Sequence, residues 1–174
     1  MKHRGRWGTG SAGLTFIEVA VVLALMGILV TLAILAAQRF IQRAKASATA
    51  TQMAFMRNGL MSFAASCEGF PPSVESGADP GLAYPPPNTP CWTGPYLARW
   101  PTTTSFGNGS SYQYRAAPGT MAALSAQALG SRDALLLGSE VAPIFGGQAQ
   151  LNSSDGLWSV TVPIGDYYRG RAGP

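Results

Sequence analysis

Histidine is almost missing from this 174-residue chain; the single one is His3. Cysteine is nearly as scarce, with only Cys67 and Cys91, neither in CxxC spacing nor beside a histidine. These shortages argue against a zinc site and against catalysis that turns on an imidazole base. No GxSxG elbow is present, and Gly146-Gly147 lacks the GxxxxGK[ST] context of a phosphate loop and reads as a turn. A dyad assembled only by folding is the one catalytic arrangement left open. Charge is also sparse: Asp, Glu, Lys and Arg make up 11% of the chain, less than half of the usual ~25%. With 47% hydrophobic residues, this is not a disordered, charge-driven polymer. The formal net charge of +4 misleads. Lys2, Arg4 and Arg6 lie in the first 13 residues; beyond them nine basic residues face eight acidic ones, and from Ser66 onward five Arg face seven Asp and Glu. A nucleic-acid binder carries its basic excess on the folded part, so nucleic acid is an unlikely partner.

Proline is absent before Pro71 and frequent afterwards. The length sets one domain as the prior, two at most, and the proline split divides the chain into a Pro-free front and a turn-rich back. Leu14–Ala37 (LTFIEVAVVLALMGILVTLAILAA) has one charge, Glu18. The charge-free run Val19–Ala37 is 19 residues, about 28 Å as a helix, close to a hydrocarbon core of ~30 Å. Inside lipid the backbone must satisfy itself, so the run is expected to be helical. A buried core helix and a cleaved secretory signal are the rivals. The first fits poorly because the run is apolar on every face. The second fits poorly because the run is long and its small residues Ser11, Ala12 and Gly13 precede it, although a site near Ala36-Ala37 stays open. Lys2, Arg4 and Arg6 before the span balance Arg39, Arg43 and Lys45 after it, so charge bias barely orients it.

A carboxylate at the edge of such a span is costly and usually has a partner. No Lys, Arg or His lies between Arg6 and Arg39, so in an uncut chain Glu18 is expected to have no partner of its own nearby. A cut just before Leu14 creates an ammonium four residues upstream, on the same or an adjacent subunit. The alternative is a carboxylate that stays wet at headgroup level. Past Ala37 the pattern becomes amphipathic: Phe40, Ile41, Met53, Phe55, Met56, Leu60, Met61 and Phe63 recur at mostly three- and four-residue steps. One helix from about Thr15 to Ala65 follows. Met53, Met56 and Met61 read as core, and the small-residue stretch Ala44–Thr51 reads as a packing face against neighbours or a solvated face. Arg39, Arg43 and Lys45 suit lipid headgroups or acidic groups of adjacent subunits.

In the back half, two cysteines behind a membrane-crossing segment suit an oxidising compartment. A Cys67–Cys91 bridge closes a Pro-rich loop and is worth roughly 3 kcal/mol in the chain-entropy model. Tyr112-Gln113-Tyr114-Arg115 alternates as a strand after a Gly-Asn-Gly turn. Ala117–Gly138 is read as holding a short helix, and Leu157–Val162 as a strand ending at Pro163.

Gly13-Leu14-Thr15-Phe16-Ile17-Glu18, behind a basic leader and ahead of an apolar helix, resembles the class III signal of type IV pilins and of the pseudopilins of type II secretion. The resemblance implies cleavage between Gly13 and Leu14 by a prepilin peptidase, N-methylation of Leu14 by the same enzyme, and an assembly role for Glu18. Gly27 matches a glycine often found in the family's helix. Leu14 replaces the commoner Phe, and the family's frequent mid-helix Pro is absent at Leu35. Further on, Gly94-Pro95-Tyr96-Leu97, Trp100-Pro101, Phe106-Gly107-Asn108 and Tyr112-Gln113-Tyr114 follow an order similar to the major pseudopilin, with Thr104-Ser105-Phe106 in place of its usual Asp-Pro-Trp. That subfamily carries a calcium loop with an Asp-Gly element; Asn152 and Asp155, before Gly156, are its faint counterpart here, and an Asx turn is the competing reading.

The expected fold is α+β, pilin-like: a long N-terminal helix, membrane anchor plus amphipathic stalk, packed on a small antiparallel β-sheet domain. Residues 1–13 form the leader, 14–37 the membrane and assembly helix, 38–66 the amphipathic helix and 67–174 the soluble head. The expected function is that of a structural filament subunit, not an enzyme, with no cofactor beyond a possible calcium ion. Its expected location is the bacterial inner membrane, single-pass with a periplasmic head, and then a pilus or pseudopilus. Its expected partners are the prepilin peptidase, further copies, related pilins and an inner-membrane assembly platform. A tip or DNA-uptake subunit, binding through the aromatic, Pro-rich loop Phe70–Trp100, is one alternative. An ordinary secreted domain is the other.

Overall fold

The computed structural model describes residues 15–107, 109–116 and 121–166. Its elements are α1 (Phe16–Cys67), β1 (Ser111–Arg115), β2 (Met121–Leu129), α2 (Ser131–Ile144), β3 (Gln150–Ser154) and β4 (Leu157–Asp166). The strands form one antiparallel sheet in the order β1-β2-β4-β3. The architecture is α+β, with a long N-terminal helix and a small four-stranded sheet, as the sequence implies. By its contacts the chain divides into two units, Met1–Phe40 and Ile41–Pro174.

In the first unit α1 buries nothing: every residue from Thr15 to Phe40 is exposed. The helix there is held by its own backbone ladder and by the helix-forming character of its Leu and Ala residues. One helix of the described residues is long and apolar enough to cross a membrane, and it is this one.

In the second unit α1 presents a stripe to the core. Ala46, Thr49, Ala50, Met53, Met56, Gly59, Leu60 and Phe63 are buried, at the three- and four-residue spacing of a single helix face. They join Tyr112 and Tyr114 of β1, Ala122, Leu124 and Ala126 of β2, Val160, Val162 and Ile164 of β4, and Ala134, Leu137 and Val141 of α2 in one hydrophobic cluster. Two expectations change here. Met61 is exposed, unlike Met53 and Met56, because it falls about 100° round the helix from Leu60. Ala46, Thr49 and Ala50 face the protein's own core rather than a neighbouring molecule. Thr49 Oγ1 accepts the Ser105 N–H at 3.3 Å, while Ser47, Ala48 and Thr51 remain exposed.

The helix expected over Ala117–Gly138 lies further on. Met121–Leu129 is a strand and the helix begins at Ser131. Ala122, Leu124 and Ala126 are all buried at alternate positions, the period of a strand. Alanine's weak strand preference hid that alternation, and cross-strand partners decided it. β4 also runs past Pro163, to Asp166. Pro163 sits opposite Ala123 beside a register shift between Ala122 and Ala123, and β3 pairs β4 only as far as Thr161. Proline is tolerated there because its missing N–H faces no ladder partner on that side.

The segment between α1 and β1 is irregular but pinned. Cys67, the last residue of α1, is bonded to Cys91 with a Cα–Cα distance of 5.0 Å. Within the loop, Asp79 is the organiser. Its Oδ1 accepts the N–H groups of Gly81 and Leu82 at 3.1 and 2.8 Å, and its Oδ2 those of Ala83 and Tyr84 at 3.0 and 3.1 Å. The loop docks on α1 at Gly59, where a Cβ would stand 3.2 Å from Leu97 Cγ. Tyr96 packs edge-on against Phe63 and Trp92 at 5.7 and 5.9 Å.

Candidate assembly helix and its N-terminal cap

The functional residues inferred from sequence gather at the start of α1. Gly13 and Leu14 lie outside the described residues. Thr15 precedes the first helical residue, and Glu18 stands in the first turn. The Glu18 carboxylate is not partnerless: its Oε2 accepts the backbone N–H of Thr15 at 2.8 Å and the Thr15 hydroxyl at 2.8 Å. In return Thr15 Oγ1 lies 3.3 Å from the Glu18 N–H. This is a reciprocal capping box, Thr15-Phe16-Ile17-Glu18, in which the Thr15 N–H finds a partner and the Glu18 N–H, which also donates to the Thr15 carbonyl at 3.1 Å, gains a second. The expectation of an isolated carboxylate fails because it counted cations and overlooked the T-x-x-E spacing. Negative charge in the first helical turn is also favoured by the helix dipole. Both Thr15 donors converge on Oε2, so Oε1 has no partner among the described residues.

Beyond Glu18 the surface of the first unit is apolar. Phe16, Leu23, Leu29 and Leu32 are each at least 60% exposed. A shallow groove lies along Ala24, Gly27, Ile28, Thr31 and Leu32, where a Cβ on Gly27 would meet nothing within 4 Å. Thr31 Oγ1 donates back to the Gly27 carbonyl at 2.8 Å, so the one polar side chain in this groove is satisfied within its own helix. Such a surface can bind hydrocarbon, or the like surface of another helix, and little else.

The calcium candidates lie on the β3–β4 hairpin. Asn152 lies on β3, in register with Ser159. Asp155 and Gly156 form the two-residue β3–β4 turn, both with positive φ, 51° and 76°, the type I′ geometry that suits right-twisted hairpins. Asp155 Oδ2 accepts the Ser154 hydroxyl at 3.2 Å. Among the described residues no cluster of three His, Cys, Asp or Glu side chains could hold a metal ion.

The Cys67–Cys91 bridge joins the two cysteines as the sequence implies. Arg39, Arg43 and Arg57 are carried by α1. Arg57 lies over the ring of Phe145, its Cζ 5.6 Å from the centroid, a cation–π contact that no spacing rule pointed to. Tyr112 hydrogen-bonds through its hydroxyl to Gln52 Oε1 at 2.6 Å, and burial pushes that hydroxyl's pKa well up, so it stays a donor.

No family model, curated protein sequence or solved structure matches this chain.

Proposed function

We propose that this protein is a structural subunit of a filament of the type IV pilin and type II secretion pseudopilin kind. In this reading it is held first in the bacterial inner membrane by Leu14–Ala37, with the sheet domain in the periplasm. A prepilin peptidase cuts between Gly13 and Leu14 and methylates the new amine, and the inner-membrane assembly platform then adds the subunit to a polymer of like and related chains. The observation that carries the reading is the fully exposed apolar helix, interrupted by a single carboxylate in its first turn. Exposed apolar surface on this scale needs a cover. The bilayer supplies one before assembly, and the same faces of other copies supply one after it. A repeated heterologous contact of this sort generates an open helical polymer.

The capping box gives Glu18 a defined part in that step. It holds the carboxylate through Oε2 and leaves Oε1 to meet the Leu14 ammonium of an adjacent subunit. At ~4 Å and an effective dielectric of ~20 the attraction is ~4 kcal/mol before desolvation. It therefore sets register, while apolar burial supplies most of the affinity. Two measurements test this. Sequencing the mature N-terminus is expected to begin at Leu14; a start at Met1 or near Gln38 contradicts the processing. Glu18→Gln keeps an oxygen for the Thr15 N–H but loses the charge. We expect it to insert normally and to abolish filaments as completely as Glu18→Ala. Filaments from Glu18→Gln but not from Glu18→Ala would mean that the cap alone matters.

A further inference from the structure

The second unit contains a cavity of about 430 Å³ between α1 and the segment leading into β1, lined by Gln52, Arg99, Trp100, Thr102, Thr103 and Ser105 among others. That size falls within the range of small-molecule sites, ~300–1,000 Å³. Its charge is one-sided. No lining residue is acidic. Arg99 offers only donors and is exposed. Gln52 Oε1 is already occupied by the Tyr112 hydroxyl at 2.6 Å, which leaves the two N–H groups of its amide. Trp100 is 4% exposed, and its buried indole N–H has no acceptor. A buried donor left unpaired is unfavourable and uncommon in folded proteins. Thr102 and Thr103 are exposed and add hydroxyls. The wall that carries them is anchored, since Thr103 bridges to Ser111 and Thr104 hydrogen-bonds through its hydroxyl to Ser110.

We propose that this cavity binds a carboxylate-bearing sugar of the hexuronate class. A cation with no acid beside it asks for an anionic ligand, and the planar guanidinium of Arg99 matches a carboxylate in a two-bond fork. One cation suits a monoanion better than a phosphate dianion. The volume leaves room for a ring beyond the carboxylate, and Gln52, Thr102 and Thr103 pair with its hydroxyls. This site is independent of the filament reading, because none of its residues belongs to the exposed apolar helix.

The test is calorimetric titration of the full chain in detergent micelles with sodium glucuronate, glucose, sodium acetate and inorganic phosphate. Glucuronate is expected to bind saturably with a Kd in the millimolar range. Glucose, which lacks the carboxylate, and acetate, which lacks the ring, are expected to bind at least about tenfold more weakly. Arg99→Gln is expected to raise the glucuronate Kd about thirtyfold. Arg99 is on the surface, so its variant reports on binding without disturbing the core. Saturable binding of glucuronate that is unchanged in Arg99→Gln would overturn the proposal. So would acetate or phosphate binding as tightly as glucuronate, or no saturable heat with glucuronate.

Discussion

The two halves of α1 belong to one continuous helix and do opposite things. From Phe16 to Ala37 the helix is apolar all round and every residue is exposed. From Ala46 to Phe63 the buried residues keep to one face, with Phe55 and Met61 exposed outside it, and Ala46, Met53 and Leu60 are fully buried. Hydrophobicity separates the halves, and its angular distribution decides what each can pack against. A stripe can be satisfied by one sheet, whereas a cylinder needs cover from every side. The rear half therefore finds its partner within the chain, and the front half needs an environment. Burial is worth about 25 cal/mol per Å² of apolar surface, and the front half gains none of it from its own fold.

The sharpest way to break this comparison is to make the same truncation in each half. Leu60→Ala should destabilise the sheet domain by about 2–5 kcal/mol, the range for a buried leucine whose cavity cannot fully collapse. Leu29→Ala, on the exposed face, should leave the domain's unfolding within about 0.5 kcal/mol of the parent. Chemical denaturation of both variants in the same micelles reads the difference. Equal losses would mean that the front helix is also part of a folded core, and the division would fall.

The next effect in size concerns the rear half alone. Replacing both cysteines with Ser should cost roughly 3 kcal/mol, because the bridge restricts the unfolded chain across a sequence separation of 24. The loss should appear in the unfolding of the sheet domain and leave the helicity of the front half untouched. Retention of full stability after replacement would mean that the Pro-rich loop is held by its other contacts.

How much of this was readable in advance follows the same division. The front helix was legible because membrane-length apolarity and the proline-free run are local properties of the string. So were β1, with its Tyr112 and Tyr114 alternation, and the disulfide, with only two cysteines to pair. What escaped was set by contacts distant in sequence. Met121–Leu129 reads as helix by propensity and is a strand because β1 and β4 flank it. Met61 fits the apolar spacing yet lies outside the face that the sheet covers. The cap at Glu18 was a different miss, since Thr15-Phe16-Ile17-Glu18 states it openly, and attention to charge partners concealed a hydrogen-bond partner three residues away. The Trp100 cavity could not be foreseen, because it depends on the placement of Gln52 beside a loop about fifty residues further on.

Asp79 offers the finest distinction between the two halves, because it shows what the rear half does with backbone that forms neither helix nor sheet. Prolines take donors away from this loop, and the N–H groups that remain in Gly81, Leu82, Ala83 and Tyr84 converge on one carboxylate. The resulting turn presents the Leu82 carbonyl to the N–H groups of Tyr96 and Leu97 at 2.8 and 3.1 Å, and the Gly81 carbonyl to the Trp92 indole at 2.8 Å. The Asp-Pro-Gly sequence carries the local signal, since aspartate bonds readily to backbone just ahead of it. Asp79→Ala should cost about 2 kcal/mol, less than four separate hydrogen bonds, because several of the freed donors can turn to water. Asp79→Asn keeps one acceptor oxygen in place of two and should fall between that variant and the parent. Amide exchange should quicken at residues 81–84 and 96–97 together in Asp79→Ala, since one carboxylate holds both segments. Faster exchange at 81–84 alone would mean that Tyr96 and Leu97 are held by their packing on Phe63 and Gly59, and that the rear half of α1, rather than the loop, fixes this part of the domain.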